Sequence, residues 1–160
     1  MKSACGKEGG RQVFFRPSKI LYMEVLMMNL SEYFDKTKGF GVLATADSDG
    51  KVNVAVFSKP TFIDDETIVF VMADHLNHHN LQSNASAAYI FKEEERYDGR
   101  KLYLTKIKEE EGTELIEAVR KKRYPIFSAK YDNESKYLVY FHIDKVLRLV
   151  ADGVLRPDIT

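Results

Sequence analysis

The stretch Gly41-Val42-Leu43-Ala44-Thr45-Ala46-Asp47-Ser48-Asp49-Gly50-Lys51-Val52-Asn53-Val54-Ala55-Val56 decides how this chain folds. Residues 40–46 alternate as a strand, Asp47-Ser48-Asp49-Gly50 is a turn with glycine where a positive φ is tolerated, and residues 52–58 return as a second strand. The expected product is a hairpin. Pro60 ends or edges its second strand, Asp64-Asp65-Glu66 turns the chain again, and the β-rich run 67–72 continues the meander. Three antiparallel strands in succession favour a barrel or sandwich over a parallel α/β sheet.

Upstream, Asn29 and Glu32 have capping-box spacing, Leu30, Tyr33 and Phe34 form an apolar helix face, and Gly39 suits a left-handed C-terminal position. Downstream, Asp74 is placed to cap a helix over 75–83, with Leu81 and either Asn77 or His78 facing inward and Asn84 as its stop. Strands are expected at 87–92 and 101–107, separated by the charged loop 93–99. Thr113 would cap a helix ending near Arg123, with Leu115, Ile116 and Val119 on one face, and Pro125 would break it. The last strand is expected at 137–143, with room to run on to 150. Six strands and three helices give the α+β class, a small antiparallel barrel with short flanking helices. The domain spans 29–150, followed by a tail over 151–160. Residues 1–28 are either an extension upstream of a natural start near Met27 and Met28 or an added strand at 12–15 or 20–25.

Composition narrows the function. A chain of 160 residues buries enough surface for a genuine core. With 44% hydrophobic and 30% charged residues, and 24 basic against 24 acidic side chains, it fits neither a disordered class nor a generally polyanion-binding one, so no nucleic-acid partner is expected. A single cysteine, Cys5, cannot form an internal disulfide, and no apolar run approaches the roughly 20 residues of a membrane span, which points to a reducing cytoplasm and no membrane.

The densest chemical cluster is Asp74-His75-Leu76-Asn77-His78-His79-Asn80, holding three of the four histidines. A zinc reading lacks any nearby cysteine and the His-Glu-x-x-His pattern, so a polar surface is preferred to a metal site. A third reading is a phosphate monoester site, because a helix start after a strand offers unpaired N–H groups and a positive dipole end. Nucleophilic catalysis lacks a Gly-x-Ser-x-Gly or Walker loop. The acidic runs at 64–66, 93–95 and 109–111 and the basic run 120–123 read as solvated faces.

The 41–56 hairpin, the strand Val69-Phe70-Val71-Met72, and His78-His79-Asn80-Leu81-Gln82-Ser83-Asn84 leading into Ala87-Ala88-Tyr89-Ile90-Phe91 together resemble the pyridoxamine 5'-phosphate oxidase-like FMN-binding split barrels. The resemblance spans about residues 30–150. It implies a six-stranded split barrel, a homodimer, and FMN in a cleft between subunits. Carried over by position, it implies cofactor-binding roles for Val56, Phe57, Ser58 and Lys59 on the flavin strand, for Met72, Ala73 and Asp74 at the facing strand end, and for His75, His78 and Asn80 on the short helix. Backbone N–H groups near Val56 and Phe57 would face the isoalloxazine edge. Many members place a lysine or arginine where this chain has His78, and the arginine that the oxidases use on the phosphate is missing, so Lys59, Ser58, His75, His78 and Asn80 would share that role; the oxidases' set of substrate-phosphate residues is missing too, which points away from vitamin B6 oxidation. The implied activity is FMN-dependent oxidation or reduction of a small molecule, or electron transfer to a partner. The alternatives are a non-catalytic flavin carrier or sensor, a haem-binding member with His75, His78, His79 or His142 as axial ligand, and a deazaflavin in place of FMN.

Overall fold

The computed structural model of the chain describes residues 30–112, 114–123 and 136–150. The elements run α1 (Leu30–Lys36), β1 (Gly39–Ala46), β2 (Val52–Phe57), β3 (Thr61–Phe62), β4 (Thr67–Ala73), α2 (Leu76–Ser83), β5 (Ser86–Glu93), β6 (Gly99–Glu111), α3 (Glu114–Arg123) and β7 (Lys136–Arg148). The Asn29 and Thr113 caps, the helix break at Pro125 and the segments 1–28 and 151–160 lie outside the described residues.

All seven strands form one antiparallel sheet in the order β2-β1-β5-β6-β7-β4-β3. The expected hairpin pairs Ala44 with Val54 across Gly50, whose φ of 81° is readily reached only without a side chain. Two expectations need correction. The strand count is seven, because Thr61 and Phe62 pair with Val69 and Ile68 just after Pro60, a two-residue strand too short to show an alternating pattern. The sheet is also not closed by hydrogen bonds, since β2 and β3 are its two edges.

Side chains do what the ladder does not. In a flat sheet β2 and β4, five places apart in the order, would be separated by about 24 Å. The rings of Phe57 and Phe70 nevertheless meet edge to face with centroids 5.7 Å apart. The sheet is therefore rolled, and its inner face packs on itself around Leu43, Phe70, Tyr89, Leu102 and Phe141. α1 plugs one end, with Phe34 against Phe62, Tyr89 and Phe91. α3 covers the other face of β4 and β7, where Ile116 packs with Val69, Leu138 and Tyr140 and Val119 lies against them. β6 is longer than expected because Lys108, Glu109, Glu110 and Glu111 continue the ladder opposite Tyr137 to Tyr140 past register shifts at 103/104 and 106/108, and β7 runs on past 143 to Arg148. Charge there signals solvent on one side rather than the end of a strand.

Candidate functional site around the start of α2

α2 is a short helix held almost entirely by polar side chains. Its buried residues are Asn77, His78, Asn80 and Leu81, so both inward candidates at the first turn are used and only Leu81 supplies apolar burial. Toward β1 and β2, the Asn77 Oδ1 accepts from the Thr45 hydroxyl at 2.8 Å and from the Asn53 amide at 2.8 Å, and the Asn80 amide donates to Thr45 Oγ1 at 3.1 Å. Toward β6 and β7, His78 places Nε2 3.2 Å from Glu109 Oε2 and stacks on Tyr137 with centroids 3.9 Å apart and planes 14° from parallel. The helix thus bridges strands from two parts of the rolled sheet.

The helix start differs from the expected one. His75, not Asp74, occupies the capping position, in extended conformation and with no side-chain capping bond. The Asp74 carboxylate instead faces His78 Nδ1 at 3.0 Å. The first-turn N–H groups of α2 accordingly have neither an intrahelical acceptor nor a side-chain cap on His75. Beside them is Asn77, 4% exposed, whose Nδ2 is the only buried side-chain nitrogen or oxygen among the described residues without a hydrogen-bond partner. Buried donors are nearly always satisfied, so an orphan at a helix start is the feature that an anionic ligand would complete.

The other expected residues are placed as follows. Val56 is 76% exposed and Val52 and Val54 are exposed beside it, whereas Phe57 turns into the core. The Ser58 carbonyl accepts the Tyr89 hydroxyl at 2.9 Å, and Lys59 Nζ donates to the Thr37 carbonyl at 3.1 Å. Met72 is core, Ala73 is half-buried on the strand end, and Asp74 and His75 are exposed. Asn80 is engaged by Thr45. His78, expected on a phosphate, has both ring nitrogens opposite carboxylates. Among the described residues no group of three or more His, Cys, Asp and Glu side chains is placed to hold a metal ion, and no helix is long and apolar enough to cross a membrane.

Electrostatics around His78 are paired rather than open. Burial pushes the Glu109 carboxyl up, but hydrogen bonds from Lys106 and Gln82 and the charges of Lys106 and His78 outweigh it and hold the group below the usual range. The Tyr137 hydroxyl is raised by desolvation and by the carboxylates of Glu111, Asp74 and Glu109.

On the outside of the sheet, cross-strand rows place Val56 beside Val42 and Ile90, and Val54 beside Ala44, Ala88 and Tyr103. Val56, Val54, Ile90 and Tyr103 are exposed, giving an apolar face that runs to the β2 edge. Asn77, Thr45, Asn53, Glu109 and Tyr137 were not expected as site residues. The i, i+3 spacing of Asn77 and Asn80 is the one local signal that could have flagged part of this set. Tyr137 and Glu109 reach α2 only through the β6–β7 register.

The uncapped α2 start and the Asn77 Nδ2 are donors of the kind an anionic group accepts from, and β2 is an exposed edge strand of the sheet. The fold is shared with an FMN-binding protein from Syntrophomonas wolfei subsp. wolfei at a TM-score of 0.67 and 20% identity, covering 86% of this chain and 92% of that one. It is shared with an F420 reductase at a TM-score of 0.59 and 14% identity, covering 74% and 96%. A protein from Lactobacillus delbrueckii, provisionally designated a pyridoxamine 5'-phosphate oxidase, matches at 0.54 and 17%, covering 73% and 88%. No protein-family model and no curated protein sequence matches the chain. At these identities the likeness is one of fold.

Proposed function

From the fold it shares with the pyridoxamine 5'-phosphate oxidase-like FMN-binding split-barrel proteins, we propose that this chain is an FMN-binding flavoprotein that acts as a homodimer in oxidation or reduction of a small molecule or a redox partner. The observation that carries the reading is the orphaned Asn77 amide at the uncapped start of α2. A phosphate there would accept from Asn77 Nδ2 and from first-turn N–H groups, and the positive end of the helix would favour its charge. Bound FMN supplies the electron-transfer chemistry. The chain's part is to hold the phosphate, to line the ring with backbone groups of β2, and to exclude water.

The outer face supports the homodimer reading. Val54, Val56 and Ile90 sit exposed on adjoining strands, and a second copy would cover them and put a cleft beside β2. An absorbance spectrum of the purified protein followed by titration with FMN tests the reading. Flavin bands that sharpen and shift with saturable binding are expected. A Soret band, or no spectral change at millimolar FMN, would overturn it. An F420-type deazaflavin gives a distinct spectrum in the same titration.

A further inference from the structure

We propose that His78 is a positioning residue: clamped between α2 and the β6–β7 pair, it sets the orientation of the α2 start and thereby aims the Asn77 amide, without touching the ligand itself. The proposal rests on the FMN reading for what Asn77 meets, but not for the clamp.

Three observations carry it. His78 is 5% exposed, and each ring nitrogen faces a carboxylate oxygen, Asp74 at 3.0 Å and Glu109 at 3.2 Å. One ring face is covered by Tyr137 at stacking distance. Gln82 Nε2 also lies 3.1 Å from the ring Nε2, and since carboxylates only accept, a ring N–H on either nitrogen is directed at a protein group and none is left over for a phosphate. Second, the other ties of α2 to β6 lie in its last turn, where Gln82 Nε2 donates to Glu109 Oε2 at 3.1 Å and Lys106 Nζ to the Leu81 carbonyl at 3.4 Å, while its start lacks a side-chain cap. Third, Asn77 adjoins His78 in the chain and is pulled the opposite way, by Thr45 and Asn53 of β1 and β2. Two opposed polar clamps on consecutive residues fix the rotation of the first turn. Losing one would let the helix start tilt, and the amide of Asn77 with it.

The residues to change are Tyr137 and Glu109, which lie on β7 and β6 and not on the proposed ligand groups. The measured quantity is the ratio of riboflavin to FMN dissociation constants, which isolates the phosphate contribution, because a merely destabilised fold weakens both ligands alike. Tyr137→Ala and His78→Ala should each lower that ratio by about tenfold or more, with riboflavin affinity held within about twofold. Tyr137→Phe, which keeps the stack, should restore the parent ratio. A lowered ratio in His78→Ala with an unchanged ratio in Tyr137→Ala would overturn the proposal by making His78 a direct ligand, and unchanged ratios in both would overturn it outright.

A parent that binds neither flavin would sink the FMN reading alone. Hydrogen exchange without ligand then decides the clamp. Amides of residues 79–82, whose N–H groups have acceptors within the helix, should exchange at least about tenfold faster in Tyr137→Ala and Glu109→Gln, while β5 amides keep the parent rate, and no difference at α2 would overturn the proposal.

Discussion

Phe57 on β2 packs edge to face on Phe70 of β4, 5.7 Å between centroids, although the two strands stand at the first and sixth places of the sheet. The ring pair stands in for the missing hydrogen-bonded seam. It also connects the proposed flavin strand to the core, because Phe70 in turn meets Tyr89 and Phe141. Phe57→Ala removes the side chain that keeps β2 against the rolled face. A loss of about 2–3 kcal/mol is expected, at or below the low end for a core phenylalanine because Phe57 is only half-buried. Urea unfolding checks it, and a midpoint equal to the parent's would show that β2 is held by β1 alone.

Gly41 lies under Tyr89 at the centre of the roll. A Cβ added there would sit 1.9 Å from the tyrosine hydroxyl, which is itself fixed by donating to the Ser58 carbonyl. Gly41→Ala must displace a ring with no exposed surface, at a cost of about 1–3 kcal/mol. The melting temperature should fall by several degrees, and an unchanged value would mean that the ring can move aside.

Acid stability should depend on Asp98. The Arg148 side chain, by hydrogen bonding and then together with the Gly99 N–H, holds its carboxyl below the ordinary carboxylate range. A depressed carboxyl contributes stability above its unfolded pKa of about 3.9, and that contribution is lost as pH falls through the lower folded value. Asp98→Asn should therefore lose stability at neutral pH and show a shallower decline below about pH 4. Melting curves across pH 2–7 in parent and variant provide the comparison, and parallel curves would refute the assignment.

The alkaline limb should depend on Tyr33. Burial, followed by donation to the Glu93 carboxylate at 2.8 Å and the charge of that group, pushes its hydroxyl up. Below about pH 10 the hydroxyl is neutral in both states and pH has no leverage through it. Above that the unfolded chain ionises first, so stability falls as pH rises. Tyr33→Phe should be less stable at pH 8 and lose less between pH 9 and 11. An identical alkaline slope would exclude Tyr33 as the cause.

The outer valines offer a test of assembly. Val54→Asp or Val56→Lys places a charge on the exposed apolar face at residues that make no core contact, so folding should survive while association weakens. Sedimentation should show the parent as a dimer and the variants shifting to monomer at micromolar concentration. A monomeric parent would remove the basis for a cleft shared between subunits.

Local pattern was enough for the hairpin across Asp47-Ser48-Asp49-Gly50, for β4, and for α1 and α2, since alternation, turn chemistry and i, i+3, i+4 spacing are properties of neighbours in the chain. The pattern misread the ends. Charged residues 108–111 looked like the end of a strand, yet they extend β6 because one face of a ladder tolerates charge in water. Asp74 looked like a cap, yet its carboxylate goes to His78 four residues on, a competition between two local geometries that chain position does not rank.

The composition and periodicity of these 160 residues carry the α+β class, the antiparallel meander and the polar character of α2, because each depends on residues a few positions apart. The roll of the sheet, the orphaned amide of Asn77 and the clamp on His78 arise from contacts over much larger separations: Phe57 with Phe70, Thr45 with Asn77, His78 with Tyr137. Strand order and register set those distances. A one-residue slip of β7 against β4 would carry Tyr137 to the other face of the sheet and leave His78 uncovered, which is why the role of that histidine is decided in three dimensions.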